Sequence, residues 1–110
     1  MKLIKAIIRE ERFDFVKKAL EEKGFYGMTV YEVMGRGEQK GVRLPYRSGL
    51  MAVDLLPKIC IELVVRDSEM EDALGAVENA AKTGKIGDGR VFVLPVEVSL
   101  RVRTGERDTS

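Results

Sequence analysis

Histidine is missing from this chain, tryptophan is missing too, and cysteine occurs once among 110 residues. Without histidine there is no imidazole to move protons near neutral pH or to ligate a metal. The lone Cys60 permits no intrachain disulfide, which suits a reducing compartment, and its place in an apolar run reads as core rather than as a reactive thiol. A charge of one sign is lacking as well. The 19 basic and 18 acidic side chains leave +1, too little for a surface that binds nucleic acid as a polyelectrolyte. No apolar run nears the roughly 18 residues of a membrane span and no signal peptide is evident, so a cytoplasmic location is expected.

What is present suits one folded domain: 45% hydrophobic and 34% charged residues. Residues 2–9, rich in isoleucine and leucine, read as a strand. Residues 12–23 set Phe13, Val16 and Leu20 on one helical stripe, which Gly24 ends. A second strand is expected over 29–34 and a third over 59–65. Ser68 and Glu71 have the spacing of a capping box, ahead of a helix carrying Met70, Leu74, Val77 and Ala81. A fourth strand is expected over 90–96, with Pro95 marking an edge or a bend. The order β-α-β, long loop, β-α-β predicts an α+β fold of the ferredoxin-like double βαβ kind, with an antiparallel sheet and both helices on one face. Two helices cover one face only, so a second copy of the chain is the expected cover for the other.

Two segments carry chemistry. Thr83-Gly84-Lys85-Ile86-Gly87-Asp88-Gly89-Arg90 places three glycines and two cations before a strand. It reads as a phosphate cradle, in which backbone amides converge and Lys85 and Arg90 neutralise the anion, or as a plain helix-to-strand turn. The stretch from Gly35 to about Leu56 lacks periodicity and holds Arg36, Lys40, Arg43 and Arg47 around Leu44-Pro45-Tyr46, which reads as a functional loop or a solvated one.

These pieces together resemble the PII signal-transduction (nitrogen regulatory) proteins. The signature Thr83-x-x-x-Gly87-Asp88-Gly89-Arg90-Val91-Phe92-Val93 fits that family at every defined position. Gly24-x-x-Gly27-Met28-Thr29-Val30, Gly35-x-Gly37-x-Gln39-Lys40-Gly41, Val53-Asp54-x-Leu56-Pro57-Lys58 and Arg101-Val102-Arg103-Thr104-Gly105 also fit, in order and without gaps. The resemblance implies a homotrimer with a nucleotide site in each intersubunit cleft. ATP or ADP phosphates would meet Gly37, Glu38, Gln39, Gly84, Lys85 and the run Gly87, Asp88, Gly89, Arg90. Ile7, Thr29, Glu62 and Val64 match positions around the base. Arg101 and Arg103, expected on an extended segment with both side chains on one face, would reach the phosphates from the neighbouring subunit.

The resemblance further implies 2-oxoglutarate as an effector, met by Arg9, Gln39, Lys40, Gly41 and Lys58, with Gln39 ligating Mg²⁺ together with the ATP phosphates. Residues 36–56 become an effector loop, 82–90 a phosphate-binding loop, and 97–110 a C-terminal segment whose residues 107–110 read as a polar tail. Tyr46 and Arg47 would contact an ammonium transporter, Arg47 entering its cytoplasmic pore exit, so membrane association would be reversible. Alternatives are control of nitrogenase or of a nitrogen-assimilating enzyme, or an adenylate sensor indifferent to 2-oxoglutarate. Three positions depart from the pattern. Met51 stands where many members carry a modified tyrosine, Gly49 where others carry a phosphorylated serine, and Glu38 where many carry arginine. Control by ligands alone is therefore expected. With no G-x-x-x-x-G-K-[ST] loop and no nucleophile–base pair, the chain does not read as an enzyme, beyond slow incidental ATP hydrolysis.

Overall fold

A computed structural model describes residues 1–36 and 55–109, with the backbone alone for 43–46 and 49–52. Strand β1 (Lys2–Ile8) leads through a single 3-10 turn into helix α1 (Phe13–Glu22) and strand β2 (Thr29–Gly35). Strands β3 (Arg43–Tyr46), β4 (Gly49–Ala52) and β5 (Leu56–Val65) follow. A second 3-10 turn, Asp67–Glu69, opens helix α2 (Met70–Ala81), and β6 (Gly89–Pro95), β7 (Val98–Leu100) and β8 (Arg107–Thr109) complete the chain. The main sheet runs β2-β5-β1-β6 with every neighbour antiparallel, the ferredoxin-like double βαβ order expected from the sequence. Pro95 ends the edge strand β6, where its missing N–H costs no ladder bond. Among the described residues no helix is long and apolar enough to cross a membrane.

The period-2 alternation of β1 and the helical stripes meet in one layer of core. Ile4, Ala6 and Ile8 of β1 and Ile61, Leu63 and Val65 of β5 pack against Val16 and Leu20 of α1 and Ala73, Val77 and Ala81 of α2. Each isoleucine, leucine or valine among them, taken out of water, contributes about 1.5–3 kcal/mol. The register places Leu3, Lys5 and Ile7 beside Val64, Glu62 and Cys60 on the opposite face, with Leu94, Phe92 and Arg90 along β6. Among the described residues no helix covers that face, and Val64, Phe92 and Leu94 are exposed. Cys60 is fully buried, yet it lies on this second face beside Tyr31 rather than within the helix-side core.

Four local expectations are corrected. Ser68 does not cap α2; the Glu69 carboxylate instead accepts the Arg66 backbone N–H at 2.9 Å, closing the 3-10 turn that precedes the helix. The stretch between β2 and β5 carries a hairpin, with Arg43 opposite Ala52 and Tyr46 opposite Gly49. Backbone pairing suffices for a two-stranded ribbon, whose open edges tolerate Pro45, so no side-chain period announces it. Residues 107–109, expected as a polar tail, pair with 98–100. Arg101 and Arg103 consequently sit in the turn of that hairpin, not on an extended segment. The Gly105 N–H donates to the Arg101 carbonyl at 2.7 Å, and Gly105 takes the positive φ that closes the turn.

Candidate functional site

At the end of the open sheet face where β1 and β2 finish and β5 and β6 begin, a cleft of about 480 Å³ opens beside the glycine loop. Ile7, Leu56, Ile86 and Phe92 form its apolar lining, Gly35, Gly87 and Gly89 let backbone approach it, and Arg36, Lys58 and Arg90 supply positive charge. Strand alternation explains the convergence. Ile7, Lys58, Arg90 and Phe92 occupy the face opposite the helices in adjacent strands. Gly89 is fixed by contact, since a Cβ there would sit 1.9 Å from the Ile7 carbonyl oxygen, at φ +115°.

The glycine loop does gather amides around an anion, and the anion is the chain's own Asp88. The N–H groups of Thr83 and Gly84 each donate to Asp88 Oδ2 at 2.8 Å, and the Thr83 hydroxyl donates to Oδ1. Arg9 Nε donates to the same Oδ1 at 3.1 Å. These donors, the Thr83 hydroxyl foremost, hold the Asp88 carboxyl well below the usual carboxylate range. Two cations also hold neighbouring carbonyls of the loop. Arg9 Nη2 donates to Ile86 O at 2.7 Å, and Lys58 Nζ donates to Gly87 O. Burial lowers the Lys58 pKa, and the Arg9 charge adds to this. The Thr83 and Gly84 amides are spent on Asp88.

The expected residues therefore separate into groups. Ile7, Lys58, Gly87, Gly89 and Arg90 line this cleft, with Arg9 and Asp88 bracing the loop behind it. Thr29, Glu62 and Val64 lie instead in a second depression at the far end of the open face, with Leu3, Gly27 and Met28. Lys85, Arg101 and Arg103 are exposed and line neither. Gly37, Glu38, Gln39, Lys40, Gly41 and Arg47 fall outside the described residues, and Tyr46 is described only as β3 backbone. Sequence reasoning missed Leu56, Ile86 and Phe92 as lining. Ile86, an apolar side chain within a polar, glycine-rich turn, carried a usable signal, and it is 77% exposed. So did Phe92, two residues from Arg90 and hence on its face.

The family model described as nitrogen regulatory protein P-II matches residues 1–106. The chain is 50% identical over 107 residues to the nitrogen regulatory protein P-II of Rhodospirillum rubrum, covering 97% of this chain and 96% of that one. The protein of the same description from Azospirillum brasilense is 51% identical over 107 residues, with the same coverage. That from Bradyrhizobium diazoefficiens is 49% identical over 106 residues, covering 96% and 95%.

Proposed function

The chain belongs to the nitrogen regulatory protein P-II family, and from that premise we propose that it is a non-enzymatic sensor binding ATP or ADP beside its glycine loop. The observation that carries this reading is the cleft itself, where Arg36, Lys58 and Arg90 meet glycine backbone and the apolar side chains of Ile7, Leu56, Ile86 and Phe92. Cations beside a close-approaching backbone suit a polyphosphate, and the apolar wall suits a base. Lys58 also suits a ligand carboxylate, which supports 2-oxoglutarate as the second effector; Gln39 would be the residue of this chain to hold Mg²⁺, which would supply charge neutralisation for the nucleotide phosphates.

The separation of the base-lining residues into two depressions supports assembly as a homotrimer. A neighbouring copy packed on the open face would cover Val64, Phe92 and Leu94. It would also bring its own Thr29, Glu62 and Val64, with the Arg101–Arg103 turn, toward this cleft. The proposed output is the 36–56 segment, which adjoins the cleft through Arg36 and Leu56 and carries Tyr46 and Arg47 toward an ammonium transporter. Calorimetric titration of Mg-ATP and ADP, each with and without 2-oxoglutarate, tests the reading. Tighter ATP binding in the presence of 2-oxoglutarate is expected. Nucleotide binding indifferent to it would reduce the protein to an adenylate sensor, and no nucleotide binding would overturn the proposal. Arg47→Ala is expected to abolish transporter inhibition with ATP affinity unchanged.

A further inference from the structure

The glycine loop hands two successive carbonyls to cations distant in sequence: Ile86 O to Arg9, just after β1, and Gly87 O to Lys58 of β5. In a trans peptide the C=O and the following N–H point in opposite directions. Holding those two carbonyls therefore turns the N–H groups of Gly87 and Asp88 away from the cations and fixes where they aim. Gly87, at φ +97°, lies in a region where glycine turns freely, so nothing in its own side chain would set that peptide. Lys58 is in turn held. Its stem runs past Gly35, where a Cβ would meet Lys58 Cγ at 3.6 Å, and its ammonium is partly withdrawn from water.

We propose that Lys58 is a positioning residue for the glycine loop: by holding the Gly87 carbonyl it sets the 87–88 peptide, and so links any anion drawn to its ammonium with the anion-binding amides of the loop. The inference deepens the nucleotide reading and rests on it. A carboxylate that recruits the ammonium pulls on the same bond that orients the loop, so one side chain serves two sites. Without Lys58 the peptide is free to rotate about Gly87, and the clasp from Asp88 to Thr83 and Gly84 loses a neighbouring support.

The test compares full-length wild type with Lys58→Met and Lys58→Arg in the absence of any keto acid. NMR-detected amide exchange of ligand-free protein is expected to show Thr83 and Gly84 exchanging at least about fivefold faster in Lys58→Met. Mg-ATP binding by calorimetry is expected to weaken about tenfold in that variant, the scale of one charge-assisted hydrogen bond. Lys58→Arg, still able to donate to a carbonyl, is expected to return both quantities to within about twofold of wild type. The affinity ratio should survive about 0.5 M salt, where screening shortens the reach of charge to roughly 4 Å. Unchanged amide exchange in Lys58→Met would overturn the proposal, as would a ratio that collapses to one in high salt or a Lys58→Arg as defective as Lys58→Met. If wild type binds no Mg-ATP, the nucleotide reading fails by itself, and the ligand-free exchange rates still decide the role of Lys58.

Discussion

The chain makes the connection from helix to sheet strand twice, and closes it by two different means. After α1 the backbone closes on itself. Gly24 N–H donates to Glu21 O at 2.9 Å and Phe25 N–H to Leu20 O at 2.9 Å, a Schellman ending with Phe25 packed against the core. After α2 the closure is made almost wholly by side chains. Arg12 takes the Ala80 carbonyl, Arg9 and Lys58 take those of Ile86 and Gly87, and Asp88 takes the amides of Thr83 and Gly84. A turn satisfied by its own backbone has nothing to exchange with a ligand. One satisfied by charged side chains, most of them distant in sequence, can trade those partners, and that is the turn bordering the cleft.

The largest expected break between the two turns lies at their glycines. Gly89→Ala places a Cβ against the Ile7 carbonyl in the sheet, at a φ that L residues avoid, so a loss of about 3 kcal/mol or more is expected in urea unfolding. Gly24→Ala meets no atom within 4 Å and suffers only its φ of +89°, for a loss of about 1 kcal/mol. Equal losses would show that the second turn is no stricter sterically than the first.

Arg12 separates the turns next. Its Nε and Nη2 both donate to Ala80 O, at 2.8 and 2.6 Å, and its guanidinium carbon lies 4.1 Å from the Phe15 ring centroid. A cation at the last carbonyls of α2 also opposes the helix dipole. Arg12→Ala is expected to cost about 1.5–2 kcal/mol. Its exchange effect should be confined to the α2 end and the glycine loop. Faster exchange of Phe25 as well would mean that the two turns are not independent.

The first turn was legible in the sequence and the second only in outline. Gly24 after the Phe13, Val16, Leu20 stripe names a helix end, because the Schellman ending needs a glycine and an apolar residue in local order. The stripes and alternating strands likewise fix the covered sheet face, since their information lies within a few residues. The clasp around Asp88 draws on Arg9, 79 residues away, so its carboxylate reads as ligand-facing when only the loop is in view. Thr29, Glu62 and Val64 could not be divided from Ile7 by a linear motif, because the division depends on which end of an antiparallel sheet each residue occupies. Both hairpins, at 43–52 and 98–109, rest on backbone pairing that no side-chain period signals.

The smallest expected effect is one of acid. Asp88 has its carboxyl held below the ordinary range by the Thr83 hydroxyl, the Thr83 and Gly84 amides and Arg9. A depressed folded value means that the clasp stabilises fully above the unfolded carboxylate value of about 3.9, and that this contribution fades as pH falls through the lower folded value. Asp67, paired with the Met1 amino group, behaves in the same sense, so both carboxylates should contribute to the acid limb of the wild type. The stability difference between wild type and Asp88→Asn is expected to stay constant above about pH 5 and to shrink between about pH 4 and 2. The difference for Gly24→Ala should not move over the same range, because no titrating group closes the first turn. An Asp88→Asn difference that also stays flat would mean that the carboxylate's charge is idle in the clasp, and that its oxygens serve only as neutral acceptors.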